Sequence, residues 1–414
     1  MQKEIKAARR NLLKAMAAWT ATATVAGCSK SLWFRQFGQS GPAESTAQAQ
    51  SDMRPWARYP EKTDLLMLAD RPPLLETPLH YFLTDLTPND AYFVRWHYAG
   101  LPTSIDLRTF RLSVVGAVTR PLQLTFDDLL TKFEPVSAVV FSQCAGNSRS
   151  FFRPQVPGAE WTNGAMGNAQ YKGVRLKDVL KMAGVSHAAV EASFRGLDAP
   201  PLQSSPPFEK PLPIDYALNG DALVAYEMNG APLPILNGFP IRLVVPGWFA
   251  TYWMKALSLI TVRAEPLRNF WVETAYRIPA TQDFSEDHLH PASVTTPVTT
   301  YPTRSVFITP DGSTKMRKSV PIEIQGIAVD DGAGIRRVEV STDGGRTWTD
   351  ASLDRVIDKY SWRRWRLRWT PPRTGTFQLK CRATNAADET QPDSEWNHGG
   401  YRRHSVQTLD VEVI

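Results

Sequence analysis

Three cysteines in 414 residues, Cys28, Cys144 and Cys381, are too few and too scattered for a disulfide framework. No Cys-x-x-Cys-His occurs, so no haem of the c type is attached to this chain. There is no block of basic residues and no zinc-finger or RNA-binding signature, which argues against nucleic acid as a partner. Internal repeats are also lacking, and no apolar run reaches membrane-spanning length. What remains is a chain 43% hydrophobic and 21% charged, able to bury a core and long enough for two domains.

The first 28 residues read as an export leader. Arg9-Arg10-Asn11-Leu12-Leu13-Lys14 has the Arg-Arg-x-x-Leu-Lys pattern of a twin-arginine signal, followed by a modest stretch, Ala15 to Gly27, rich in Ala and Thr. That route carries folded proteins, so a periplasmic enzyme loaded with its cofactor before export is expected. Val25-Ala26-Gly27-Cys28 also fits a lipoprotein cleavage box, which would leave Cys28 as a lipid anchor. Cleavage near Ala23 or Ala26 would instead leave a soluble protein. The leader holds Lys3, Lys6, Arg9, Arg10 and Lys14 against Glu4, so the formal charge of +6 falls to about +2 without it.

Residues 29–60 form a spacer of small polar residues. From 61 to 287 short β-type runs (91–96, 110–115, 138–141, 241–245) alternate with short helical patterns, clearest over Leu176 to Met182. Gly and Pro punctuate the whole stretch, which predicts a loop-rich α+β domain. After 288 the character changes. Runs at 306–308, 320–327, 335–341, 362–369, 377–382 and 406–414, separated by Asp-Gly and Thr-Gly turns, predict an all-β sandwich of immunoglobulin type. Cys381 falls inside one of these strands, as a buried structural thiol would.

Cys144 is different. It closes an apolar run and opens the turn Cys144-Ala145-Gly146-Asn147-Ser148-Arg149, where it can serve as a nucleophile or as a thiolate ligand to a soft metal. Two other segments carry arginines in notable settings. Tyr92-Phe93-Val94-Arg95-Trp96-His97 sets Arg95 and His97 on one face of an extended strand. The run from Gly238 through Arg242 to Gly247 ends a buried strand in a Pro-Gly turn, with Lys255 shortly after.

Four stretches resemble the sulfite oxidase family of molybdenum enzymes. They are Phe93-Val94-Arg95-Trp96-His97, Gln143 through Arg149, Ala225 through Pro234, and Gly238 through Gly247; Val338 through Trp348 matches in the second domain. The likeness runs from about residue 61 to the C-terminus and is nearest to bacterial periplasmic sulfite dehydrogenases, which pass electrons to cytochrome c. It implies one Mo-molybdopterin per chain, with Cys144 as the metal's thiolate ligand. It makes Arg95 and Arg149 the arginines that bind the anion, Tyr276 the active-site tyrosine and Trp161 a wall of the substrate pocket. Phe93, Arg95, His97, Asp198, Asn237, Arg242 and Lys255 fall where the family holds the pterin and its phosphate. Asn237 stands where the animal enzymes have a histidine. The implied reaction is oxygen-atom transfer to sulfite, with electrons leaving singly to a c-type cytochrome or haem subunit; a homodimer and a permanent pair with a haem subunit both stay open.

One departure bears on the substrate. Animal and plant relatives contribute a further arginine in Trp-Asn-Leu-Arg-Gly, whereas this chain reads Trp396-Asn397-His398-Gly399-Gly400. His97 or His398 is the candidate replacement for that charge. No cytochrome b5 domain is read in the sequence, so the acceptor is expected to be a separate protein. Within the family, the alternative is the catalytic subunit of a sulfane dehydrogenase acting on protein-bound sulfur. Outside it stand a cofactor-free adhesion protein and a cysteine hydrolase pairing Cys144 with His97.

Overall fold

The computed structural model describes residues 56, 57, 59–281 and 283–414; the leader, Cys28 and most of the spacer lie outside the described residues. The helix expected over 176–182 spans Leu176–Ala183. Its Leu176, Val179, Leu180 and Ala183 recur at the helical period and are all fully buried. Gly184, at φ 69°, ends it by donating its N–H to the Leu180 and Lys181 carbonyls.

Three sheets build most of the first domain. One orders Trp56–Ala57, Leu65–Ala69, Leu74–Glu76 and Val94–Arg95, so the chain enters the fold at Trp56, inside the span expected as spacer. A second orders Glu209–Pro213, Glu191–Gly196, Leu257–Arg263, Leu112–Gly116 and Leu122–Leu124, with Leu257–Arg263 parallel to Leu112–Gly116. The third orders Ala231–Pro232, Leu223–Met228, Met166–Arg175 and Val136–Gln143, and Arg242–Val244 also pairs with Leu223–Met228. The strand expected over 91–96 is corrected to Val94–Arg95 alone. Trp96 and His97 therefore leave the ladder, although Arg95 and His97 still face one cavity.

The C-terminal domain is a sandwich of two four-stranded antiparallel sheets. Arg304–Thr309, Ile322–Val329, Arg363–Trp369 and Ser352–Leu353 form one; Thr349–Asp350, Ile335–Ser341, Gly375–Asn385 and Gln407–Val413 form the other. Inward side chains of both sheets, among them Ile324, Trp365, Val338, Leu379 and Val411, make its core. Cys381 sits there fully buried, opposite Val340, and burial pushes its thiol up to about 12. The expected class, a loop-rich α+β domain followed by an immunoglobulin-like sandwich, is the observed one.

Val136–Gln143 is an edge strand of its sheet, and an edge leaves alternate N–H groups without a partner strand. Here the partners come from later in the chain. The Val139 N–H donates to the Asp358 carboxylate (2.8 Å), Phe141 N–H to the Tyr360 carbonyl (2.8 Å) and Gln143 N–H to the Tyr301 hydroxyl (3.3 Å). The strand that delivers Cys144 is thereby fixed to the C-terminal half along its outer edge.

Candidate active site: a cationic cavity around Cys144

Cys144 is 8% exposed at the end of Val136–Gln143. Its N–H donates to the Ala165 carbonyl (2.9 Å) and its carbonyl accepts from Asn147 N–H (3.0 Å). The Asn147 side chain accepts from Ala165 N–H (3.0 Å), so the turn is tied twice to the segment around residue 165. Cys144 borders a cleft shared with Phe93, Arg95, His97, Asp198, Asn237, Arg242, Lys255 and Tyr276. Eight of the eleven other side chains singled out from sequence around this site thus meet the cysteine.

The charge of this cleft is lopsided. Arg95, Arg242 and Lys255 face a single carboxylate, Asp198. Lys255 is brought down to about 7 by desolvation and then by Arg242 and Arg95, against the pull of Asp198 and Cys144. Asp198 is raised by desolvation in spite of Lys255 and Arg95. Arg242 is 4% exposed, with its guanidinium 5.5 Å from the Trp253 ring centroid and 5.7 Å from that of Tyr171. Arg95 Nη1 and Arg242 Nε are buried donors without a protein acceptor. Such orphans are costly unless a ligand satisfies them. Among the described residues no three His, Cys, Asp or Glu side chains converge on a metal position. A lone sulfur donor, surplus cations and unsatisfied N–H groups fit a metal carried by an anionic, phosphate-bearing organic ligand.

His97 and Tyr276 meet on the cavity wall, Nε2 to hydroxyl 2.5 Å. The imidazole stacks on Phe208, centroids 3.4 Å apart, and Trp271 meets its edge. Desolvation, then Arg95, Lys255 and Lys210, hold His97 well below its ordinary value, while desolvation raises Tyr276. Both groups are therefore neutral near pH 7. Tyr276 adopts φ 58°, a left-handed conformation uncommon for a bulky residue, which the surrounding contacts must hold. Because His97 spends Nε2 on Tyr276, the contact that a Cys–His hydrolase needs is not the one made.

Arg149 and Trp161 do not line the cleft. Arg149 passes behind the cysteine turn, donating Nε to the Gly400 carbonyl, Nη2 to Gly399 (both 3.1 Å) and Nη1 to Ala159 (3.4 Å). Its slot needs glycine: a Cβ at Gly146, Gly158 or Gly400 would lie 2.8, 2.6 or 2.7 Å from guanidine-group atoms of Arg149. Trp161 is 1% exposed, and its carbonyl accepts from Ser150 N–H. His398 is turned away as well, its Nδ1 3.0 Å from Glu286 Oε1.

Two buried lysines escaped the sequence reading. Lys62 donates to the carbonyls of Asn89 (2.7 Å) and Tyr92 (3.1 Å) and to Asn237 Oδ1. Asn237 Nδ2 donates in turn to the Phe93 carbonyl (3.1 Å), and its own carbonyl accepts from Arg242 Nη1 (3.0 Å). The neighbouring Glu61 carboxylate accepts from Ile235 and Leu236 N–H, so residues 61 and 62 together hold the turn that presents Asn237. Lys210 is 2% exposed, donates to the Trp271 carbonyl (2.6 Å) and lies 5.0 and 5.2 Å from the Tyr252 and Tyr276 ring centroids. Both lysines are brought down to about 7, chiefly by desolvation. Neither sits in a motif, and nothing in the flanking residues marks either as buried.

Comparison with known proteins identifies the family. A family model described as an oxidoreductase molybdopterin binding domain matches residues 98–271, and one described as a Mo-co oxidoreductase dimerisation domain matches residues 295–405. Mitochondrial sulfite oxidase from Homo sapiens is 34% identical over 401 residues, covering 91% of this chain and 71% of that protein. The Mus musculus enzyme is 32% identical over 402 residues, covering 92% and 71%. Among solved structures, the sulfane dehydrogenase SoxCD from Paracoccus pantotrophus has the same fold, with a TM-score of 0.73 at 24% identity over 92% of this chain and 94% of that one. The chain belongs to the sulfite oxidase family of molybdenum oxidoreductases.

Proposed function

We propose that the protein oxidises sulfite to sulfate at a molybdopterin-bound molybdenum held by the Cys144 thiolate, and that the electrons leave singly to a c-type cytochrome. The bound group supplies a two-electron couple able to pass an oxygen atom to sulfur. The net change takes sulfite and water to sulfate, two protons and two electrons. Arg95 carries the reading: it lines the cleft with Cys144 and keeps a buried Nη1 that no protein atom satisfies. A forked guanidinium with a free donor suits an oxyanion, and its charge offsets that of the anion.

Arg242 and Lys255 supply the positive charge for the phosphate end of the pterin, with Asn237 presented by Lys62 beside them. Tyr276 and His97, both neutral and 2.5 Å apart, can hold or pass a proton along one hydrogen bond at the substrate wall. Arg149 acts from behind, keeping the cysteine turn against Gly399 and Gly400 while adding its field. Phe208 and Trp271 keep water from the imidazole. Export by the twin-arginine route to the periplasm, anchored at Cys28 or soluble, and pairing through the C-terminal sandwich complete the proposal.

The fold shared with a sulfane dehydrogenase supports a second reading, oxidation of protein-bound sulfur at the same centre. Replacing Cys144 by serine tests the first. The variant is expected to fold, by circular dichroism and melting temperature, and to have no sulfite:cytochrome c activity. A folded and fully active variant would refute the ligand assignment.

A further inference from the structure

Arg304 opens the first strand of the C-terminal sandwich, yet its side chain leaves that domain. Its Nη2 donates to Ser148 Oγ (2.6 Å) and to Asn163 Oδ1 (2.9 Å), and Ser148 Oγ itself donates to Asn163 Oδ1 (2.6 Å). The residue is 2% exposed, and Nη1 has no partner. Among the described residues no carboxylate lies within ion-pair distance of it. Burial lowers its pKa to about 9, helped by Arg403 and opposed by Glu395. A guanidinium buried among neutral oxygens is expensive, and the two bonds it makes offset that cost only where they are made.

Where they are made is informative. Ser148 lies near the end of the turn that begins at Cys144, just before Arg149, and is held at φ 68°. Its N–H donates to the Thr162 carbonyl (2.7 Å), while Asn163 belongs to the segment whose Ala165 carbonyl takes the Cys144 N–H. Arg304 therefore joins the exit of the cysteine turn to the strip that fixes its entrance. The Arg402 N–H, donating to the Ala145 carbonyl (2.9 Å), is a second hold from the same domain.

We infer that Arg304 is a positioning residue for the metal thiolate, through which the C-terminal domain sets the direction of the Cys144 side chain. The inference rests on Cys144 being the metal ligand. Groups that support a ligand from outside its own contacts commonly change affinity or activity by about 10-fold to 100-fold when lost, and Arg304, which reaches Cys144 only through Ser148 and Asn163, is expected at the lower end of that range.

The test uses the purified, molybdenum-loaded full chain and its thiolate-to-metal absorption band. Arg304→Met is expected to retain metal, shift or broaden that band and lower kcat about 10-fold with little change in KM. Arg304→Lys, which keeps the charge but not the fork, is expected to lie between the two. Ser148→Ala removes one acceptor, together with the Ser148–Asn163 bond, and leaves the arginine on Asn163; it should move the band in the same direction. If Arg304→Met does not fold, the Ser148→Ala spectrum decides. A lower melting temperature with an unmoved band in the folded variants would reduce Arg304 to a structural residue and overturn the inference. Absence of the band from the unaltered protein would instead overturn the Cys144 assignment itself.

Discussion

Tyr401 and Tyr276 lie ring against ring, centroids 5.2 Å apart and 25° from parallel, with the Arg149 guanidinium 4.9 Å from the Tyr401 centroid. Tyr276 borders the cleft and Tyr401 comes from the C-terminal domain, so the sandwich backs the wall of the cleft as well as the cysteine turn. Stacked aromatic pairs contribute about 1 kcal/mol beyond their buried area. A double-mutant cycle of Tyr401→Leu and Tyr276→Leu, read by denaturant unfolding, is expected to give a coupling of about that size. Strict additivity would show that the stack is incidental.

Arg95 and Arg149 are predicted to behave differently on conservative replacement. Arg95 keeps an unsatisfied donor at the cleft, so Arg95→Lys should raise KM for sulfite at least 10-fold, the loss of one charge-assisted bond worth about 1.5–3 kcal/mol. Arg149 spends its donors on Ala159, Gly399 and Gly400. Arg149→Lys should therefore lower the melting temperature more than Arg95→Lys and raise KM less. Steady-state kinetics beside thermal melts separate the two; the reverse ranking would contradict these roles.

Lys62 has no contact that sequence could suggest, yet it holds the Asn237 turn. Lys62→Met is expected to weaken retention of the cofactor by about 10-fold, as loss of a supporting group does. Molybdenum per chain after gel filtration measures it. Unchanged metal content would place Lys62 outside the cofactor's support.

Lys210 gives a prediction in pH. Its folded-state pKa is about 7 against an ordinary 10.5, lowered by desolvation and then by Arg277. Between those values the folded protein binds fewer protons at this site than the unfolded chain, so stability rises with pH across the window. Below pH 7 both states are protonated and the penalty of the buried charge is at its full size. Replacing Lys210 by Met should reduce the slope of unfolding free energy between pH 7.5 and 9.5 by up to about 1.4 kcal/mol per pH unit. Parallel slopes for both proteins would mean that Lys210 stays charged.

The domain order was legible because its signals are local. Period-2 runs split by Asp-Gly turns mark the sandwich, and the 3.6-residue period marks Leu176–Ala183. The lining of the cleft was legible because motif residues bring their backbone settings with them, as in Phe93 to His97 and Gln143 to Arg149. What sequence did not carry is set by contacts over long separations. Arg149 and Trp161 stand in the expected motifs, but the loop at Gly399 and Gly400, some 250 positions on, takes up the Arg149 donors. Lys62, Lys210 and Arg304 stand in no motif that sequence could flag. Only the fold shows that each is buried and which carbonyl, amide or hydroxyl it holds.

Whether a molybdenum thiolate at Cys144 oxidises sulfite is decided by the visible spectrum of the loaded protein before and after anaerobic sulfite. A thiolate-to-metal band is expected to bleach on addition, with no electron acceptor present. A band that persists would contradict sulfite as the substrate and favour protein-bound sulfur, and no band at all would contradict the thiolate centre.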